Sequence, residues 1–249
     1  MNTIKEEFTV GLNLTQARLQ YLSLFFLTVL LFTGCSQRTV TMQEMQKPVI
    51  VEPIKGLILE DVMQKAEKKY GQSARTRYEM YNAKISTLQN ATTQIKLQEI
   101  NNFFNKIPYV DDIKVWGETE YWATPLEFLA KAKGDCEDYV IAKYFSLVNL
   151  GIAYEKLYFT YVKSTQYTRP HMVLSYFETP HSIPLVLDSI NYKIFSADKR
   201  SDLIPVYNYN GESLYHAQEK GQHGQKAKNR KTVDEKWQRL LDGIAMNKL

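Results

Sequence analysis

The run Lys133-Gly134-Asp135-Cys136-Glu137-Asp138 sets one cysteine among three acids, just ahead of apolar residues with a helical period at Val140, Ile141, Tyr144, Leu147 and Val148. With Asp135 as N-cap, the cysteine stands at a helix N-terminus, where free backbone N–H groups and the helix dipole favour a thiolate. A thiolate paired with an imidazole is a competent nucleophile near neutral pH. The charged neighbours argue against an inert cysteine in an apolar core. They also raise the thiol pKa, so an imidazole or a bound cation must offset them.

Four histidines are available. His216 and His223 fall in a polar C-terminal stretch and His181 in a Thr-Pro-His-Ser loop, and all three are expected at the surface. His171 opens the β-rich run His171–Phe177, whose Met172, Val173 and Leu174 suit a core, so its imidazole is held at a sheet edge. Asp188 closes the apolar run Leu185-Val186-Leu187, where a carboxylate needs a partner. If the two runs pair as neighbouring strands, Asp188 orients His171, and Cys136, His171 and Asp188 follow the logic of an acyl-transfer triad. Spacing alone does not exclude a noncatalytic arrangement.

The chain that must position these residues has 249 residues, 44% apolar and 23% charged, enough for one ordinary domain with a real core. Its two cysteines rule out a disulfide scaffold and a multi-cysteine zinc module. A net charge of +4 without a focused patch gives no case for nucleic acid as a partner. Residues 1–34 read as a signal peptide: Tyr21–Phe32 is an apolar run of about a dozen residues, short of the roughly 20 a membrane span needs. The run ends in Phe32-Thr33-Gly34-Cys35, which resembles a bacterial lipobox, although Phe stands where Leu is usual. Cys35 is therefore the candidate lipidation site, with cleavage to a soluble form as one alternative and an uncleaved N-terminal anchor, disfavoured by the short run, as another. Residues 35–55 read as a tether, and export places the domain in or facing the periplasm.

Helical spacing predicts a helix from Leu57, punctuated by Gly71 before a second stretch at Ser73–Tyr81, and a further helix over Ser86–Lys106 with Ile95 in its apolar stripe. Thr124-Pro125 reads as an N-cap followed by proline at the first helical position. Beyond Gly151 come strands at Leu157–Val162, His171–Phe177 and Pro184–Asp188, with a fourth candidate at Tyr192–Phe195. Helices followed by an antiparallel sheet predict an α+β domain over residues 56–215. Residues 216–249 read as a basic loop (Lys220, Lys226, Lys228, Arg230, Lys231) and an amphipathic helix over Val233–Met246. The loop would be solvated, or would face anionic lipid if the domain is tethered.

The stretch from Tyr121-Trp122-Ala123-Thr124-Pro125 through Gly134-Asp135-Cys136-Glu137-Asp138 to Lys143-Tyr144-Phe145-Ser146-Leu147 resembles the bacterial transglutaminase-like cysteine peptidases. More narrowly, it resembles the LapG-like periplasmic proteases that release biofilm adhesins. His171-Met172-Val173-Leu174, Leu185-Val186-Leu187-Asp188, and Asn101–Asn105 with Trp116-Gly117 match further motifs in the same order, over roughly residues 60–215. Ser189, where Asn is usual, and the lipobox are departures. The resemblance implies a papain/transglutaminase-like core, with Cys136 as nucleophile, His171 as base and then acid, and Asp188 as its orienter. It also implies calcium on Asp135 and Glu137, with Asp138 a weaker ligand, although helix capping accounts for the same acids. The oxyanion would rest on the Cys136 N–H and a second donor, for which the Trp122 indole is a candidate beside the reading of Trp122 as a core aromatic. The substrate implied is a large repeat-containing surface adhesin cut near its N-terminus at paired alanines. The implied inhibitor is an inner-membrane receptor for cyclic di-GMP. Transglutaminase-type transfer to an amine, and a noncatalytic lipoprotein that binds an envelope partner, are the competing readings. Lipidation predicts that labelled fatty acid enters the protein and is lost in Cys35→Ser; an unlabelled wild type would leave cleavage to a soluble form or the uncleaved anchor.

Overall fold

The structure is a computed structural model and describes residues 56–249. The apolar run, Cys35 and the tether lie outside the described residues. Helix α1 (Glu60–Tyr70) stops at Gly71, whose φ of 84° suits glycine, and the same residue precedes α2 (Gln72–Leu88). The next break falls later than helical spacing suggests. Asn82 does not interrupt α2, because its side-chain amide pairs with both the N–H and the carbonyl of Ile58. Helix α3 (Thr93–Phe104) begins where Thr92 Oγ1 accepts from the Ile95 amide. This phase turns Leu97 into the core and leaves Ile95 49% exposed, which corrects the expected stripe.

A short helix α4 (Asp112–Val115) leads to α5 (Pro125–Lys131), which opens with the expected cap. Thr124 Oγ1 accepts from the Glu127 amide at 3.1 Å, and the Glu127 carboxylate accepts from the Thr124 amide at 2.9 Å. This capping box stabilises the helix start by about 1 kcal/mol. Helix α6 (Cys136–Asn149) follows and is buried along almost its whole length.

Seven strands then form one antiparallel sheet: β1 (Leu157–Ser164), β2 (Pro170–Tyr176), β3 (Leu185–Leu187), β4 (Phe195–Ser196), β5 (Leu203–Tyr209), β6 (Leu214–Ala217) and β7 (His223–Lys226). Their order is β4-β3-β2-β1-β5-β6-β7, so β2 and β3 are neighbours, with Leu174 opposite Leu187. Residues alternate between faces. Phe159, Met172, Leu174 and Leu187 join the helices in the main core, whereas Val162, Val173 and Val186 form a separate apolar cluster. The final helix α7 (Lys231–Ala245) places Trp237 against Phe145 and Phe159 and buries Leu240, Leu241 and Ile244.

The C-terminal stretch is thus more ordered than a basic loop and a helix. Its middle pairs as β6 and β7 at the sheet's end, Arg230 pairs with Asp234 at 2.8 Å, and Lys231 faces Glu235. His223 is the other correction. It packs against Phe177 and Tyr158, with centroids 4.2 and 4.3 Å away, and its Nδ1 stands 3.1 Å from the Asn208 amide nitrogen. Burial, with His181 adding to it, lowers the His223 pKa to about 4. A histidine kept neutral in the fold contributes stability that is complete above its unfolded pKa near 6.5 and is lost as pH falls towards 4. His223→Phe should therefore lose about 1 kcal/mol less stability than wild type between pH 7.5 and pH 5 in urea unfolding, after discounting for partial exposure. Parallel losses in the two proteins would contradict this.

Candidate active site

Cys136 and His171 line one cleft, and Asp188, just beyond β3, contacts His171. Cys136 is the first residue of α6, and its thiol donates to Glu137 Oε2 at 3.0 Å. The backbone of Met172, one residue beyond His171 on β2, opposes the upward shift of the thiol pKa. Cys136 and His171 line the same cleft of about 450 Å³, with Tyr109, Glu120, Tyr161 and Arg169 among its other walls. The imidazole is 6% exposed, and its Nε2 lies 2.8 Å from Asp188 Oδ1.

That contact fixes the tautomer. Burial pushes the Asp188 carboxyl up, but His171, the Ile190 amide and Arg200 outweigh it and hold the group well below the usual carboxylate range. An ionised carboxylate only accepts, so Nε2 carries the proton and Nδ1 is left as the free lone pair of the ring. Arg200 Nη2 donates to the second carboxylate oxygen of Asp188 at 2.7 Å, and Asp202 accepts from the same guanidinium. The Asp188 carbonyl accepts from Asn105 Nδ2 at 2.8 Å and Lys143 Nζ at 3.2 Å.

The acids beside the thiol are buried too, which sequence did not anticipate. Asp138 is 0% exposed, Glu137 7% and Asp112 2%. Asp135 occupies the N-cap position of α6, but its side chain makes no capping bond. Oxygens of Asp112, Asp135 and Asp138 instead gather within 4.8 Å of one another. Asp112 Oδ1, Asp135 Oδ1 and Asp138 Oδ2 are all buried without a hydrogen-bond partner. Burial first, and the neighbouring acids next, raise Asp112 to about 7, Asp135 to about 9 and Asp138 well above the usual range. Three unpartnered hard oxygens with this charge frustration fit a calcium ion. Asp138, expected as the weaker ligand, is the most buried of the three, and Asp112 was not foreseen. Glu137 belongs to a second cluster with Asp135 and Cys136, where its carboxylate accepts the hydrogen bond from the thiol. Burial, with Glu137 and Asp135 adding, keeps the Cys136 thiol well above its ordinary pKa.

Asp112 reaches the cluster through the backbone. Tyr109 bridges in parallel to Gly134, and the Val110 amide donates to the Gly134 carbonyl at 2.8 Å. No local pattern around Asp111-Asp112 signals this. Trp122, by contrast, is not brought to the cleft that holds Cys136 and His171. It packs edge-on against Phe159 and lines a separate recess beside Glu127, Lys236 and Leu240, with its buried Nε1 unpartnered. The geometry favours the core-aromatic reading over the oxyanion one.

A helical lobe that presents a cysteine at a helix start, packed on an antiparallel sheet that presents a histidine, defines a transglutaminase-like cysteine peptidase. The chain belongs to the bacterial transglutaminase-like cysteine proteinases, whose family model matches residues 67–202. Among solved structures it is similar to Legionella pneumophila LapG, 36% identical, with a TM-score of 0.62 over 75% of this chain and 98% of that one. Calcium-bound and EGTA-treated forms of Legionella pneumophila LapG give TM-scores of 0.63 and 0.64 at the same identity, over 74% and 75% of this chain and 99% and 98% of those. No curated protein matches the chain.

Gly134 packs hard against this cluster, since a Cβ there would lie 2.2 Å from Asp138 Oδ2 and 2.9 Å from the Phe128 ring. Gly134→Ala should therefore lower stability by about 1–3 kcal/mol through displacement of a fully buried carboxylate. An unchanged melting temperature would contradict the packing described.

Proposed function

We propose that this chain is a periplasm-facing, calcium-dependent cysteine endopeptidase that cuts a large surface adhesin near its N-terminus and so releases cells from a biofilm. The observation that carries the chemistry is the buried His171–Asp188 pair sharing a cleft with Cys136 at the head of α6. The family membership supports the peptidase chemistry and the calcium-bound form of Legionella pneumophila LapG supports the ion, while the substrate rests on the motif resemblance alone.

In this reading Cys136 Sγ attacks the scissile carbonyl while its proton passes to His171 Nδ1, because Nε2 is engaged by Asp188. Asp188 keeps the ring oriented and stabilises its cationic form. The imidazolium then protonates the leaving amine, a thioester remains on Cys136, and water activated by His171 hydrolyses it. The Cys136 amide, at the first helical position, is the candidate oxyanion donor. Asp112, Asp135 and Asp138 would hold calcium, with Glu137 next to them. When bound, the ion supplies positive charge that offsets the carboxylates around the thiol. An inner-membrane cyclic di-GMP receptor that sequesters the enzyme completes the proposed pathway, and lipid on Cys35 would tether it to a membrane.

The test is incubation of the full chain with an adhesin fragment bearing a paired-alanine site. Wild type should cut it in calcium and not in chelator, Cys136→Ala should not cut it, and Asp188→Asn should lower kcat by at least about 100-fold. Asp112→Asn should raise the calcium concentration needed for half-maximal cutting by about tenfold or more. Amine incorporation without cleavage would replace the peptidase reading with acyl transfer. Full activity in chelator would remove calcium from it.

A further inference from the structure

We propose that Lys143 is a positioning residue of the peptidase: from the helix that carries Cys136, its amine holds the main chain of Asp188 so that the Asp188 carboxylate meets His171. The inference rests on the triad reading above and extends it to a residue with no assigned role there.

Lys143 stands seven residues after Cys136, two turns along α6 and so on nearly the same face. It is 0% exposed, its Nζ donates to the Asp188 carbonyl at 3.2 Å, and Asn105 Nδ2 donates to the same oxygen at 2.8 Å. That carbonyl needs donors from outside the sheet. The pairing of β2 with β3 ends at Leu174 opposite Leu187, so Asp188 is the first residue beyond the ladder. Two donors, one from the C-cap of α3 and one from α6, replace the missing strand partner and tie Asp188 to the helix that begins at Cys136.

The chemistry of Lys143 is otherwise hard to account for. Among the described residues it makes no ion pair with a carboxylate; its other near neighbour is the Tyr139 ring, 5.7 Å from Nζ to centroid. Burial lowers its pKa to about 7, with the Asp188 charge opposing the fall. An amine buried without a carboxylate partner weakens a fold relative to an apolar side chain of similar volume. Packing alone would thus be better served by methionine, and the contact with Asp188 is what the amine adds. The surroundings are polar where this contact is made: Asn101 Oδ1, Asn105 Oδ1 and Ser189 Oγ are also buried there without partners.

The test compares Lys143→Met with wild type and Asp188→Asn in the full chain, using the paired-alanine fragment in calcium. Lys143→Met should lower kcat by about 10- to 100-fold with KM within about twofold, as expected for a misplaced catalytic group. Its melting temperature should be equal to or above that of wild type. The downfield imidazole N–H resonance of His171, which reports its bond to Asp188, should shift or broaden. Asn105→Leu, which removes the other donor to the same carbonyl, should act in the same direction, and the double variant should lose less than the product of the single losses. The proposal is overturned if Lys143→Met keeps wild-type kcat and resonance while Asp188→Asn loses activity. It is also overturned if Lys143→Met fails to fold, because the amine would then be a structural requirement. If Asp188→Asn itself keeps wild-type kcat, the triad reading falls first.

Discussion

Asp188 is the residue on which the architecture converges. Five donors hold it: His171 Nε2, the Ile190 amide and Arg200 Nη2 on the carboxylate, and Asn105 Nδ2 and Lys143 Nζ on the carbonyl. They come from the C-cap of α3, from α6 and β2, and from the turn after β3 and the turn before β5, so nearly every layer of the domain sets the position of one side chain. A carboxylate that is 1% exposed is costly to ionise unless its partners are fixed beforehand. Here the partners are fixed by helix packing, strand pairing and a buried arginine, and the carboxylate in turn sets the tautomer of His171.

This convergence gives physical content to motifs that in the sequence are only resemblances. Asn101 on α3 and Asn105, which caps its C-terminus, lie about one helical turn apart, and their amides donate to the carbonyls of Tyr192 and Asp188. The upstream asparagine signature is thus a clamp on the loop that follows β3. Gly134 is small because Asp138 and Phe128 fill the space a side chain would take. Thr124-Pro125 caps α5, which packs against the helix that begins at Cys136.

What was legible in the sequence is what depends on local pattern. Cys136 before a helical period, His171 before a β-rich run and Asp188 after an apolar triplet each carry their position in their neighbours. The α+β order was legible for the same reason. Long-range geometry was not. Asp112 joins Asp135 and Asp138 only because Tyr109 and Val110 pair with Gly134. Arg200 reaches Asp188 from a turn twelve residues later, and no spacing rule connects a lysine in α6 with the end of β3. Strand β5 is hidden by Pro205, which sits where its register against β1 shifts, an irregularity that tolerates proline. The burial of His223 depends on β6 and β7 folding back beside β5, which the polar composition of that stretch conceals.

The central claim is that His171 serves the Cys136 thiol, and the rate at which iodoacetamide alkylates Cys136 tests it without any assumption about substrate. Measured near pH 7 by peptide mapping in saturating calcium, His171→Gln should slow alkylation of Cys136 by about tenfold or more while the fold is retained, because the imidazole that accepts the thiol proton is gone. Equal rates in wild type and His171→Gln would show that the imidazole does not act on the thiol, and the account would fail at its core.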